Sequence, residues 1–164
     1  MLEIIRIPEE RIPVLLGKKG RVKGKIEKGT GTTIEVSEDV KLTGDDPLGF
    51  IRAKEIIKAI GRGFEPKVAL KLLGEDCEFR MIGLEGETLK NRLRLFGRVI
   101  GQAGRTRKFI EKETGASLCI YGKTISLIGM PDEVSPAEGA VRELLLGKTH
   151  GYAYKKMLRQ KMKE

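Results

Sequence analysis

Two short stretches of the sequence combine paired glycines with basic residues, a combination that could bind phosphate. They are Gly17-Lys18-Lys19-Gly20 and Gly101-Gln102-Ala103-Gly104, and an arginine follows each of them. Glycine lets a sugar-phosphate backbone approach the main chain closely, and amides at the start of a following helix favour negative charge. We therefore predict that both stretches bind phosphate groups of a polyanion.

Both stretches belong to a repeated unit. Residues 17–36 and 101–120 align at a constant offset of 84 positions, with eight of twenty residues identical. Apolar residues at helical spacing recur downstream in both copies. The repeat predicts two related domains, and their expected bounds are residues 1–64 and 76–164, with a connecting helix and linker at 65–75.

The spacing of apolar residues predicts the order strand, helix, helix, strand, strand, helix in each copy. In the second copy we expect the first helix to turn one apolar face toward the core, made of Leu89, Leu93, Phe96 and Ile100. We expect Pro136 in the first turn of the last common helix. A basic segment, residues 149–164, should dock as an additional C-terminal helix.

The charge distribution favours a nucleic-acid partner. The chain has 32 Lys and Arg against 23 Asp and Glu, for a net charge of +9. Residues 17–28 contain six basic residues and one acid, and residues 88–108 contain seven basic residues and no acid. A surface that is only solvated would carry both positive and negative side chains. The exclusion of acids from these segments therefore indicates a polyanionic binding partner. No apolar run reaches the roughly 18 residues of a membrane span, and no signal peptide is evident, which predicts a cytoplasmic protein without a membrane partner.

An enzyme is the main alternative class. Gly122-Lys123-Thr124 and Gly147-Lys148-Thr149 resemble the end of a nucleotide-binding P-loop, but Ser117 and Arg142 stand where that motif requires its first glycine. His150 is the sole histidine and has no nucleophile at a readable spacing. The two cysteines lack the spacing of a zinc site. We predict a protein that is not an enzyme and needs no cofactor or metal.

Together these features resemble the KH RNA-binding domain of type I, here in tandem. More narrowly, residues 97–108, then residues 121–124, then His150 ahead of Tyr154, are similar to the KH-domain assembly and rRNA-processing factor of the small ribosomal subunit. That family is shared by archaea and eukaryotes, and the likeness here is to an archaeal member. The resemblance implies an α+β fold in which each domain has a three-stranded antiparallel sheet with helices on one face.

The resemblance also implies a function. It implies binding of single-stranded RNA near the 3′ end of small-subunit rRNA, and assistance to the PIN-domain endonuclease that trims that end. A translation-initiation factor is a further implied partner. Eukaryotic members of the family have a degenerate first loop, whereas Gly17-Lys18-Lys19-Gly20 is intact here. The first domain could therefore bind RNA, a protein or both.

Two alternatives stay open beside this reading. One is a KH-fold scaffold whose first domain binds a protein such as an initiation factor, with RNA binding confined to the second domain. The other is a general binder of mRNA or other single-stranded RNA.

By analogy with KH domains, each loop would clamp about four nucleotides whose bases lie in an apolar groove. In the second domain Ile100, Ile110 and Ile120 would form the floor of that groove, and Tyr121 and Lys123 its edge. The RNA-binding residues predicted for the second domain are Arg98, Gly101, Gln102, Ala103, Gly104, Arg105, Arg107, Lys108, Ile120, Tyr121 and Lys123. Those predicted for the first domain are Gly17, Lys18, Lys19, Gly20, Arg21 and Lys23.

The two copies differ in expected stability. Gly24 and Gly29 interrupt a helix of the first copy where the second copy has Lys108 and Glu113. Glycine inside a helix costs about 0.5–1 kcal/mol. We therefore predict that the first domain is the softer one and contributes less to RNA affinity.

Overall fold

The computed structural model describes residues 1–163. Its internal contacts divide the chain into two compact units, the first ending at Cys77 and the second beginning at Glu78. The predicted connector, residues 65–75, packs within the first unit, where Ala69 and Leu72 are buried. Within this described range no helix is long and apolar enough to cross a membrane.

The first unit has the predicted element order. Its strands are β1 (Leu2–Ile5), β2 (Thr33–Val36) and β3 (Val40–Thr43), and its helices are α1 (Ile12–Leu16), α2 (Arg21–Thr30), α3 (Pro47–Gly61) and α4 (Pro66–Ala69). The strands form an antiparallel sheet in the order β1-β3-β2. Asp46 sets the start of α3, because its carboxylate accepts the Gly49 N–H at 2.9 Å.

The second unit repeats this architecture and adds one helix. Its strands are β4 (Glu78–Gly83), β5 (Ser117–Tyr121) and β6 (Thr124–Gly129), and its helices are α5 (Leu89–Ile100), α6 (Arg105–Thr114), α7 (Pro131–Leu145) and α8 (His150–Lys163). The antiparallel sheet has the order β4-β6-β5. The core lies between this sheet and the helices. The predicted α+β fold, two units of a three-stranded sheet with helices and a C-terminal helix, is confirmed.

The predicted core face of α5 is wrong in three of its four positions. Leu89 and Leu93 are 62% and 60% exposed, and Ile100 is also exposed. The helix instead buries Leu95, Phe96 and Val99 against the core. The two apolar faces of α5 overlap only at Phe96, and helical periodicity alone could not distinguish between them.

The predicted place of Pro136 is also wrong. Helix α7 begins five residues earlier at Pro131, a position where proline is tolerated, and Pro136 is buried inside the helix. Glu133 stabilises the earlier start, because its carboxylate accepts the Met130 N–H at 2.8 Å.

Helix α8 docks on its unit as expected. Ala153 and Met157 are buried, and the ring of Tyr154 lies 4.4 Å from that of Phe109 on α6, measured between centroids. Met162, near the end of the helix, is 87% exposed. Residue 164, the predicted end of this helix, lies outside the described residues.

Candidate nucleic-acid interface

The two glycine loops have the same backbone conformation. The first glycines, Gly17 and Gly101, have φ angles of 71° and 75° and ψ angles of 179° and 173°. The last glycines, Gly20 and Gly104, are left-handed with φ of 72° and 73°. In each loop the last glycine donates its N–H to the carbonyl of the first, at 3.2 Å and 3.1 Å. The duplication has therefore preserved a backbone shape.

Each loop also holds a strained residue that is not glycine. Lys19 and Ala103 have φ angles of 56° and 55°, and among residues 1–163 they are the two non-glycine residues with positive φ. A non-glycine residue in this region costs about 1–3 kcal/mol, and such strain clusters at functional sites. The strained backbone marks both loops as functional candidates.

Packing explains the first glycine of each loop but not the last. A Cβ atom at Gly101 would overlap the side chain of Thr106, and one at Gly17 would overlap Val22. A Cβ at Gly20 would meet nothing within 4 Å, and one at Gly104 only the Lys108 side chain at 3.9 Å. The outer surface beside each following helix is thus open to a close approach.

The second loop lies at the N-terminus of α6, where the helix dipole is positive. Gln102 and Ala103 are exposed, as are Arg105, Arg107 and Lys108 in the first turn of the helix. Exposed cations beside a helix N-terminus favour anions. The structure therefore brings the loop and these three predicted cations together.

The first loop is arranged in the same way at the N-terminus of α2. Lys18 and Lys19 are exposed within the loop, and Arg21 is exposed at the first position of the helix. Lys23 is half-buried and lies 3.5 Å from the carboxylate of Glu27. Three of the four predicted cations of this domain are therefore exposed.

A glutamate in each unit joins the basic helix to the edge strand. Glu111 accepts a hydrogen bond from Leu118 N on β5 at 3.1 Å and also pairs with Arg107 at 3.2 Å. Glu27 does the same in the first unit, accepting from Ile34 N on β2 at 3.0 Å. These contacts fix the distance between helix and strand, which is the width that a groove between them would have.

The predicted groove floor is only partly at the surface. Ile100 is 37% exposed and Ile120 is half-buried, as a groove surface requires. Ile110 is completely buried, so it supports the surface from below and is not part of it. Tyr121 ends β5 half-buried, and Lys123 is exposed in the turn before β6.

Arg98 has a structural role that the sequence did not reveal. Its Nε donates to the Leu144 carbonyl at 2.9 Å, and its Nη2 donates to the Lys148 carbonyl. The Nε2 of His150 lies 2.9 Å from the Arg98 carbonyl. Arg98 thus ties the end of α5, just before the loop, to the start of α8. These partners are about fifty residues away, so no local pattern predicted them, and an RNA contact of Arg98 stays a prediction.

An open depression of about 470 Å³ lies beside the second loop. A Cβ added to Gly97 would meet nothing within 4 Å, so packing does not require this glycine inside α5. Gly97, Arg94 and Tyr154 lie outside the set of site residues predicted from the sequence. The residues that line the depression are Arg94, Gly97, Arg98, Gly101, Gln102, Arg105, Thr106, His150 and Tyr154.

The described part of the chain, residues 1–163, contains no group of three or more His, Cys, Asp or Glu side chains that could hold a metal ion. The site's chemistry is that of cationic side chains and backbone amides, which suits the binding of phosphate.

The fold and the two loops define a tandem KH-domain protein. The family described as a eukaryotic type KH-domain (KH-domain type I), the second KH domain of PNO1, matches residues 79–163, and the KH domain family matches residues 2–59. A KH domain-containing protein of Methanocaldococcus jannaschii is 40% identical over 170 residues, covering 99% of this chain and 75% of the relative. The chain belongs to the Dim2/PNO1 family of KH proteins.

Two further relatives carry informative names. The a/eIF2alpha-aDim2p-rRNA complex of Pyrococcus horikoshii OT3 contains a chain that is 40% identical, with a TM-score of 0.90 and coverage of 100% of this chain and 96% of that one. The pre-rRNA-processing protein pno1 of Emericella nidulans is 31% identical over 111 residues, which cover 63% of this chain and 42% of the relative. The match thus spans less than half the length of that eukaryotic relative.

Proposed function

We propose that this protein binds single-stranded RNA and acts in assembly of the small ribosomal subunit, near the 3′ end of its rRNA, where it assists processing. The observation that carries the proposal is the second loop, an open backbone cradle at a helix N-terminus surrounded by exposed arginines and lysine. The names of relatives add support, since one is a pre-rRNA-processing protein and another is part of a complex with rRNA.

The loop geometry favours a nucleic-acid strand over a small anion. Four consecutive loop residues follow one another along the surface, and apolar Ile100 and Ile120 lie on the elements beside them. A strand could therefore place its phosphates on the loop and its bases against apolar side chains, as KH domains do. Under this proposal the RNA contacts of the second domain are the residues assigned from the sequence.

The test is a variant that makes the second loop acidic, Gln102→Asp with Ala103→Asp. Both side chains are exposed, and aspartate tolerates the left-handed backbone at position 103 better than alanine does, so the fold should survive. We expect affinity for RNA copying the 3′-terminal stretch of small-subunit rRNA to fall at least about 100-fold, because two phosphate contacts become repulsive. Fluorescence anisotropy measures the affinity, and circular dichroism checks the fold.

The matched control makes the first loop acidic, Lys18→Asp with Lys19→Asp. This variant changes the net charge by more than the test variant does, so a general electrostatic effect would make it the weaker binder. A smaller loss than in the second-loop variant supports the site assignment. An unchanged RNA affinity of the second-loop variant would reject the site assignment. The alternative function, a protein-interaction scaffold, would then be favoured.

A second candidate function concerns the first domain. Because a relative at 40% identity forms a complex named for a translation-initiation factor alpha subunit as well as rRNA, we propose that the first domain also binds such a factor. Titration calorimetry with that subunit should give the same affinity for the wild type and for the second-loop variant. A loss in that variant would place the factor on the second domain instead.

The resemblance also motivates a proposed partnership with a PIN-domain endonuclease. Adding the protein to such an endonuclease and an rRNA substrate should raise the rate of 3′-end cleavage. An unchanged rate would remove the endonuclease from the list of partners and leave the RNA-binding proposal standing.

A further inference from the structure

The outer side of α8 carries a row of cations with one exposed aromatic residue. The row lines a groove of about 630 Å³. We call it the α8 stripe, and it consists of Tyr152, Lys155, Lys156, Arg159, Gln160 and Lys163. This surface is distinct from the RNA-binding residues of the proposed function.

Packing fixes the direction in which the stripe faces. Ala153 and Met157 are buried on the opposite side of the helix. Gln160, at one margin of the stripe, donates from its side-chain amide to Ser135 Oγ on α7 at 2.8 Å, and Lys156 pairs with Glu143 on α7. Because α8 is held at several points, the remaining stripe residues face solvent.

The charge pattern of α8 differs from that of α2, α6 and α7 and resembles that of α5, which also has cations and no acid. Helices α2, α6 and α7 each pair a cation with an acid one turn away, and these pairs are Lys23–Glu27, Arg107–Glu111 and Arg142–Glu138. Residues 150–163 contain five lysines and arginines and no acid. Like charges one turn apart destabilise a helix, and a solvated face normally mixes the signs. An anionic partner would offset this repulsion.

We infer that the α8 stripe binds phosphates of single-stranded RNA beyond the nucleotides held by the second loop. The inference rests on the proposed function. Lys155, Arg159 and Lys163 recur every four residues, about 6 Å apart along the helix, and so form a regular row of positive charge. Tyr152 is 49% exposed beside them, and Lys148 Nζ lies over its ring at 5.5 Å from the centroid, which adds a further cation next to an aromatic ring of the kind on which bases stack.

Other anionic partners fit the stripe less well. A helix that lies on a membrane inserts an apolar face, and the apolar face of α8 is already buried against its own unit. Protein interfaces are depleted in lysine and rely on buried aromatic and arginine anchors. Lysine heads on flexible stems in water suit a phosphate backbone, whose binding depends on charge.

The test uses the full chain with Lys155→Gln, Arg159→Gln and Lys163→Gln together. Two RNAs copy the 3′-terminal stretch of small-subunit rRNA: a short one of about the four nucleotides that a KH loop clamps, and one several times longer. Affinities are measured across a salt series by calorimetry for the short RNA and by anisotropy for the long one. The salt slope is the change in the logarithm of the affinity with the logarithm of the salt concentration. We expect its magnitude for the long RNA to fall by about 2, the value for three lost phosphate contacts to a single strand. The short RNA should bind as before.

The matched control neutralises three exposed lysines of the first unit, Lys28, Lys58 and Lys71, and so removes the same charge elsewhere. The salt slope of this control variant for the long RNA should stay closer to that of the wild type than the slope of the α8-stripe variant does. The substitutions in the α8 stripe relieve repulsion between like charges on a solvent-facing surface. The α8-stripe variant should therefore be at least as thermostable as the wild type. A lower melting temperature would mean that the stripe serves the fold.

Three results would overturn the inference. One is an unchanged slope and affinity for the long RNA, and another is an equal loss for both RNAs, which would point to the general field of the protein. The third is loss of binding to phosphatidylserine vesicles with RNA binding intact, which would assign the stripe to a lipid surface. The second-loop variant distinguishes the failure of one proposal from the failure of the other. If that variant still binds the short RNA, the loop site is rejected, and the result says nothing against the α8 stripe.

Discussion

The first glycine loop has cations between its glycines as well as on the helix that follows, whereas the second loop has none between its glycines. Lys18 and Lys19 occupy the two central positions of the first loop, where the second has uncharged Gln102 and Ala103. The backbone angles nevertheless agree within about 10° at each glycine. This cradle therefore depends on glycine geometry, and positive charge can be supplied from different positions around it.

The link between the last common helix and the first strand is also duplicated, but with its charges reversed. In the first unit Lys54 of α3 lies 2.8 Å from Glu3 of β1. In the second unit the residue 84 positions later, Glu138 of α7, lies 2.7 Å from Arg80 of β4. An ion pair with either sign satisfies the same packing of helix on sheet, so the repeat preserves the contact and not the residue types.

The largest expected effect comes from alanine at the first glycine of a loop. Gly101→Ala should lower the free energy of unfolding of the second unit by at least about 2 kcal/mol, because alanine is strained at this φ and its Cβ overlaps Thr106. Gly104→Ala should cost only about 1 kcal/mol, since its left-handed position is open. Chemical denaturation with hydrogen exchange of core amides measures each loss.

Gly17→Ala provides the matched variant in the first unit, where the new Cβ would overlap Val22. The same loss should appear there, confined to the core amides of that unit. Equal costs at first and last glycines of one loop would contradict the packing explanation.

A smaller effect should separate stability from binding at Gly97. Gly97→Ala should stabilise the second unit by about 0.5–1 kcal/mol, because alanine is the better helix former and the Cβ meets no atom. If RNA approaches α5 closely there, the same variant should bind RNA more weakly. Thermal unfolding and anisotropy provide the two readouts.

Gly151→Ala is the control for that prediction, since this glycine of α8 is also exposed with open space around it and does not line the depression. It should leave RNA affinity unchanged. Unaltered RNA affinity in Gly97→Ala would remove the depression from the interface.

The lower stability expected for the first domain depends on two glycines, Gly24 and Gly29, whose surroundings differ in the structure. Gly24 has open space around its Cβ position, so Gly24→Ala should stabilise the helix as its sequence context suggests. At Gly29 a Cβ would lie 2.8 Å from Leu73 Cδ2, in the turn that follows α4. Gly29 therefore serves packing, and the sequence could not show this because Leu73 is 44 positions away.

The sequence predicted the element order, the repeat and the exposed loops, because these depend on local spacing and on glycine chemistry. It failed where two local patterns competed or where the partner was distant. In α5 both faces are apolar, and the choice of Leu95 and Val99 over Leu93 and Ile100 is made by α6 and α7. The tie of Arg98 to the α7–α8 junction is a contact between distant segments with no local signal.

The smallest expected effect concerns the reversed ion pair of the second unit and its dependence on pH. Burial raises the pKa of Glu138, but hydrogen bonds from Arg80 and Arg142 outweigh it and leave the pKa below its usual value. Because the folded pKa is lowered, the ion pair stabilises the unit above the unfolded pKa, and this stability is lost as pH falls through the folded value. Glu138→Gln should therefore cost about 0.2–1 kcal/mol near neutral pH, the range of exposed ion pairs, and almost nothing in acid. Urea unfolding of wild type and variant at pH 7 and in acid measures the difference, and Lys54→Gln is the partner variant that tests the reversed pair. A cost for Glu138→Gln that persists at low pH would show that the side chain stabilises the unit through packing and not through its charge.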